Sequence, residues 1–256
     1  MFSTHFASLV LFSACSSQPT VSGFVVDAWD NPIANANVKV TTSNEEHRTT
    51  TNKEGRFSLP DFTGTATMLA AAEGYIPNGG EYTVKENDVN PLVMSLYPRP
   101  TSDGFFAIGS SAFVQIKEHQ ISIKGSDFEA LYGFEDLGDD AVEAGKLRFI
   151  FHTDRTIEQL NRVDLNLHRL SYMETAIIEG PLRPVTIAPN MWTASDDVAI
   201  EIIPIRSKSD YLIVTKEAVP PGNYAFDTQD TLTPAKAENF ERLPKEMRVA
   251  YPFIVR

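Results

Sequence analysis

Apolar and polar positions alternate over short runs in residues 20–98, and turn residues interrupt the runs at close intervals. Val21, Phe24 and Val26 open a β-rich run that stops at Asp27, Asp30, Asn31 and Pro32. Asp and Asn tolerate positive φ and Pro fixes its own, so this cluster predicts a turn. Residues 36–42 alternate small or apolar with polar side chains, the mark of a half-buried strand. The charged residues 45–48 read as a loop. Residues 49–51 and 56–59 then flank Asn52-Lys-Glu-Gly55, which predicts a hairpin with Gly55 in the left-handed region. Residues 65–72 form a further strand, although their alanines leave a helical reading open. Tyr82–Val84 and residues 92–97 supply the last two. Six or seven short strands with turns at this spacing predict a β-sandwich.

The β pattern continues beyond Pro98-Arg-Pro100 and Thr101-Ser-Asp-Gly104, a stiff break that predicts a domain boundary. Strands are predicted at 105–108, 113–116, 120–124, 147–152, 163–170, 184–188, 198–203, 211–215 and 224–226. Strict alternation over 163–170 puts Asp164, Asn166 and His168 on one polar face. Short helices are expected at 156–161 and 234–242. Pro220-Pro-Gly222 reads as a turn feeding the strand at Tyr224. The fold class is therefore all-β throughout, a first sandwich at 20–98 and a second β-rich domain, expected to be a sandwich too, at 101–256.

In residues 20–98 the turns also carry a family resemblance. The run Thr50-Thr-Asn-Lys-Glu-Gly-Arg-Phe57 and the later Ala72-Glu-Gly-Tyr75 resemble the carboxypeptidase regulatory-like domain, a transthyretin-like (prealbumin-like) sandwich. Asp30 and Asn35 stand where that family has glycine. Both residue types accept the left-handed region, so the same backbone is expected. The resemblance implies a non-catalytic accessory module of secreted or surface proteins. A zinc carboxypeptidase needs His-x-x-Glu, and none of His5, His47, His119, His152 or His168 has Glu three residues on.

Composition narrows the partners. A net charge of −12 over 256 residues, with Lys and Arg scattered, excludes the basic face that nucleic acid requires. Cys15 is the single cysteine, so no intramolecular disulfide forms. It follows an apolar stretch, Phe6 to Phe12, and the small residues Ser13 and Ala14. This resembles a bacterial lipoprotein signal peptide with its lipobox, although Met1–His5 lacks Lys and Arg. The resemblance implies cleavage after residue 14, acylation of Cys15, a polar tether at 15–19, and a lipid anchor in the membrane. Ser16 after the cysteine implies outer-membrane sorting in a Gram-negative envelope.

No catalytic motif accompanies these features. The chain has no Gly-x-Ser-x-Gly elbow, no Gly-x-x-x-x-Gly-Lys loop and no Gly-x-Gly-x-x-Gly fingerprint, so no catalytic residue, metal or cofactor is assigned. The acidic residues 135–140 lack EF-hand spacing and read as a solvated loop. Lys39 reads as a solvent-facing strand lysine and not as an isopeptide donor. Trp29 and Trp192 are the candidate ligand-binding residues, aromatic surfaces for a sugar ring or a protein partner, although packing is the ordinary role of such a residue. The expected function is non-enzymatic, binding or scaffolding of an envelope protein or glycan. The alternative is a hydrolase or carbohydrate-active protein, which requires His152, Asp154 and His168 to converge on the second domain.

Overall fold

The computed structural model describes residues 20–60, 62, 64–85, 91–126, 128–156, 158, 165–205, 209–234 and 237–256. Cys15, the signal-like segment and the tether lie outside the described residues. So do Asp164 and most of the helix expected at 156–161.

The N-terminal unit contains β1 (Thr20–Val26), β2 (Asn37–Thr41), β3 (Glu46–Thr50), β4 (Arg56–Pro60) and β5 (Gly64–Ala71). β6 (Tyr75–Ile76), β7 (Asn78–Val84), β8 (Leu92–Ser95) and β9 (Tyr97–Pro98) complete it. Two sheets, ordered β4-β1-β8 and β3-β2-β5-β7, face each other, and β6 pairs with β9. Alternation places Val38 and Val40 of β2, Phe57 and Leu59 of β4, and Met68 and Ala70 of β5 in one buried cluster. The alanines of β5 are strand residues because each edge of that strand is hydrogen-bonded, to β2 and to β7.

Two local expectations fail here for one reason. Of the expected loop 45–48, residues 46–48 belong instead to the edge strand β3, whose charged side chains suit an unpaired edge. Residues 49–51 and 56–59 do not form a hairpin, since β3 pairs with β2 while β4 pairs with β1 in the opposite sheet. Asn52–Gly55 is thus a corner between sheets. Thr51, buried, causes the switch: its N–H donates to Ala36 O, and its hydroxyl donates to Ile33 O while accepting from Ala36 N. The turn chemistry itself holds. Gly55 has φ 70°, and a Cβ there would meet Val25 O at 2.7 Å. Asp30 and Asn35 take φ 63° and 57°, as expected of residues replacing glycine.

The C-terminal unit has a five-stranded sheet ordered β11-β10-β16-β22-β21. Its strands are β10 (Gly104–Ile108), β11 (Phe113–Ile116), β16 (Arg148–His152), β21 (Ile200–Pro204) and β22 (Asp210–Thr215). A larger sheet runs β12-β24-β23-β17-β20-β14-β13, with β15 paired to β24. It is built from β12 (His119–Gln120), β13 (Ser122–Gly125), β14 (Ala130–Phe134), β15 (Ala141–Val142) and β17 (Asn166–Met173). β20 (Met191–Asp197), β23 (Gly222–Asp227) and β24 (Val249–Val255) complete it, and β18 (Ala176–Ile178) pairs with β19 (Val185–Ile187) as a separate hairpin.

The larger sheet is covered on both faces. One face packs on the five-stranded sheet, where the ring of Phe105 stacks on Phe151 at 4.3 Å and on Phe226 at 4.2 Å. The other packs under Leu232 and Phe240 of the segment that carries a short helix, Ala237–Arg242. Hence Leu167 and Phe226 point one way while Leu170 and Ala225 point the other, and all are buried. The expected polar face of β17 is therefore absent. His168 is 3% exposed, because that face is also roofed.

Candidate functional site

The β1–β2 turn is organised by Asp27, whose buried carboxylate accepts from the backbone N–H of Trp29 (2.8 Å) and of Asn31 (2.9 Å) and from the Asn31 amide. This is a side-chain-mimicked turn, and it fixes the direction of Trp29. The indole Nε1–H donates to Gly109 O in the C-terminal unit at 2.8 Å, and the ring meets Phe113 edge-on at 5.6 Å. Around them Ile76 and Tyr97 pack with Phe106, Ile150 and Ile205, and Ala28 and Leu212 flank the group. Arg99 N–H donates to Gly74 O, tying down the segment between the units. Trp29 thus hydrogen-bonds across the rim of an apolar seam between the two sandwiches.

Trp192 sits on β20, half-buried on the face roofed by Phe240, with its ring edge-on to Tyr172 at 5.2 Å. β20 is pressed against β14 there. A Cβ on Gly133 would come within 1.9 Å of Trp192 O, so only glycine fits. Beyond Trp192 and Tyr172, β17 and β20 continue into the β18–β19 hairpin. Its Leu182 and Ile177 are 97% and 74% exposed, and Phe128 of the β13–β14 loop is 64% exposed. The two loops are tied together, since Ser126 Oγ donates to Glu179 O at 2.7 Å and Glu179 N donates to Glu129 Oε2 at 2.7 Å. These three apolar side chains were not singled out from sequence. The available signal was Ala176-Ile-Ile-Glu-Gly-Pro-Leu182, a Gly-Pro turn flanked by apolar residues.

The histidines do not assemble one site. His152 lies in the five-stranded sheet, with Nδ1 2.7 Å from Asp210 Oδ1 and Nε2 3.8 Å from Asp103. His168 lies in the larger sheet, with Nδ1 2.8 Å from Asp197 Oδ1 and a partnerless Nε2 4.0 Å from Asp227 Oδ2. Asp227 is occupied otherwise, accepting from Gln229 N, Thr231 Oγ1 and Leu232 N. Asp154 is exposed.

Among the described residues no group of three or more His, Cys, Asp or Glu is placed to hold a metal. In the acidic loop, Asp140 accepts from Lys117 N at 2.8 Å and Glu135 pairs with Lys124 at 2.6 Å, so these carboxylates serve local pairs. Lys39 pairs with Glu46 at 2.6 Å. Hydrogen bonds from Lys39 and then Arg48 hold that carboxyl below its usual range.

The comparisons with known proteins bear on the first unit. Residues 20–97 match the family model of the carboxypeptidase regulatory-like domain. That match covers the whole Trp29 turn, the sheet corner at Gly55, β6 and the first residue of β9. No curated protein matches the chain. Among solved structures, the chain is similar to BcpA, the major pilin subunit of Bacillus cereus, at 10% identity. That alignment covers 92% of this chain and 68% of the pilin at a TM-score of 0.25. A variant of the same pilin aligns at 9% identity, with the same coverages and a TM-score of 0.24. Those TM-scores are too low for any feature of the pilin to be transferred.

Proposed function

We propose that this chain is a non-enzymatic envelope lipoprotein whose carboxypeptidase regulatory-like domain is a rigid mount and whose second sandwich engages an envelope protein. In this reading Cys15 carries the lipid, residues 15–19 are the tether, and the seam at Trp29 fixes the second sandwich relative to the anchor. The observation that carries the binding role is the exposed group Leu182, Ile177 and Phe128 on two loops held together by hydrogen bonds. Apolar side chains this exposed cost solubility, and holding them on a braced hairpin end suits a surface that another protein covers.

Two measurements separate the parts of this reading. Capture from native envelope by the full chain should enrich a protein partner, and Leu182→Asp with Ile177→Ser should abolish the capture. Unchanged capture by that variant would remove the role assigned to the hairpin ends. Cys15→Ala should abolish acyl labelling and membrane retention, and retention without Cys15 would remove the anchor.

A further inference from the structure

A second surface of the C-terminal unit is a cleft at a β-bulge, away from the hairpin ends. Along β17 and β20 the pairs are His168 with Asp197 and Arg169 with Asp196, but Leu170 pairs with Ala194, so Ser195 is skipped. Such a bulge bends its strand and re-aims the neighbouring side chains, which is why bulges recur beside binding sites. The chain then leaves the larger sheet through Val198, whose N–H donates to Leu167 O, and enters the five-stranded sheet. The return path is bonded to it, with Lys216 N donating to Ala199 O at 2.9 Å. Between the two crossings lies an open cleft of about 590 Å³, inside the range of roughly 300–1,000 Å³ typical of small-molecule sites.

The walls and the floor of this cleft differ in chemistry. One wall bears Arg169, Asp196 and Asp197, and the other bears Lys216 and Glu217. The floor is Val198, Val219 and the edge of Tyr224, whose hydroxyl is fixed by donation to Pro220 O at 2.9 Å. Among the described residues, neither Arg169 nor Lys216 has a carboxylate within ion-pair distance, so both charges are open to a ligand in the cleft. Asp197 is held by the buried His168, so one carboxylate is set in place before any ligand arrives.

We infer that this cleft binds a short peptide with free termini, the peptide carboxylate on Arg169 and Lys216 and its ammonium on the carboxylates of the same cleft. The charge pattern selects that class. In a chain of net charge −12 a simple anion is repelled at long range, and a simple cation finds no reason to prefer this place. A cleft holding two unpaired cations among three carboxylates, over an apolar floor, complements a ligand that carries both signs and small side chains between them. This goes beyond the proposed envelope role and depends on neither the anchor nor the hairpin ends.

The test is an NMR titration of the full chain with trialanine, compared with its N-acetylated form, its C-amidated form and the doubly capped form. Trialanine should saturate with a Kd below about 1 mM, shifting the amides of Val198, Ala199 and Val219. Double capping should weaken binding by about tenfold or more. Arg169→Ala and Lys216→Ala should weaken trialanine but leave the C-amidated peptide unaffected, because the group they recognise is already gone. Absence of saturation overturns the inference, as does equal binding of the capped peptide or unchanged binding by both variants. Both residues are exposed, so the folds of these variants are expected to survive, and their amide spectra check it. Envelope capture by Lys216→Ala should remain intact, which separates failure of this cleft from failure of the hairpin surface.

Discussion

Trp29 bonds across a seam that also joins the two sandwiches through Ile76, Tyr97, Phe106 and Ile150, and the size of its own share can be worked from its contacts. Trp29→Ala deletes a buried-end hydrogen bond to Gly109 O, worth about 0.5–1.5 kcal/mol net. It also deletes the edge contact with Phe113, worth about 0.5–1.5 kcal/mol. Half-burial of the ring adds roughly 100 Å² of apolar area, on the order of 2 kcal/mol. Because neighbours relax into part of the space, the expected loss is about 3 kcal/mol. Trp29→Phe keeps a ring and loses the donor, so about 1 kcal/mol is expected. The assay is calorimetry with chemical denaturation read by circular dichroism. The native chain should unfold with its units coupled, whereas Trp29→Ala should separate a C-terminal transition from an N-terminal one. In a Trp192→Phe background, Trp29 emission should shift to the red at the first transition. Asp27→Ala should reproduce part of the effect without touching the indole, since its carboxylate sets the turn. If Trp29→Ala moves stability by less than about 0.5 kcal/mol and leaves the transitions as they were, Trp29 does not couple the units.

Three further outcomes follow from individual residues. Asp227→Ala, which strands Gln229 N, Thr231 Oγ1 and Leu232 N in a buried loop, should cost about 2–4 kcal/mol by urea denaturation, and Asp227→Asn should cost less. Asn35 has φ 57°, so Asn35→Gly should be neutral or better while Asn35→Val should cost about 1–2 kcal/mol, and equal midpoints for the two would contradict the assigned backbone. Burial raises Tyr97, Tyr211, Tyr224 and Tyr251 above the ordinary value of 10.0. For groups raised in the fold, the stabilising neutral form is fully present below pH 10 and is lost as pH climbs through the raised values. Absorbance at 295 nm should therefore lag behind that of a denatured chain and rise together with loss of ellipticity, and full ionisation in a chain that keeps its native ellipticity would refute it.

What could be read from residues alone, and what could not, divides by the range of the cause. Asp30, Asn35 and Gly55 took their backbone regions as expected, because the preference belongs to the residue itself. The same turn at Asn52–Gly55 fits a hairpin or a sheet corner equally well. Only the bonds of Thr51 to Ala36 and Ile33 decide, and they cross a gap in sequence. In the C-terminal unit, β24 escaped notice because both of its faces are covered: Phe253 joins the core between the sheets while Ala250 joins the one under Phe240. A strand buried on both faces loses its alternation, and Pro252 argued against a central strand as well. The same roof turned His168 from an expected surface residue into a buried one that fixes Asp197. Trp29 shows the limit most clearly. An aromatic in a turn allows ligand, partner or packing, and its actual contact is a carbonyl 80 residues away. Side chains whose partners lie in another domain carry no local trace of that role, so here the candidate binding surfaces came from exposure and unpaired charge and not from residue type. By that criterion Leu182 and the Arg169–Lys216 cleft rank above either tryptophan, because Leu182 is 97% exposed while Trp29 is engaged with Gly109 O and Trp192 packs on Tyr172.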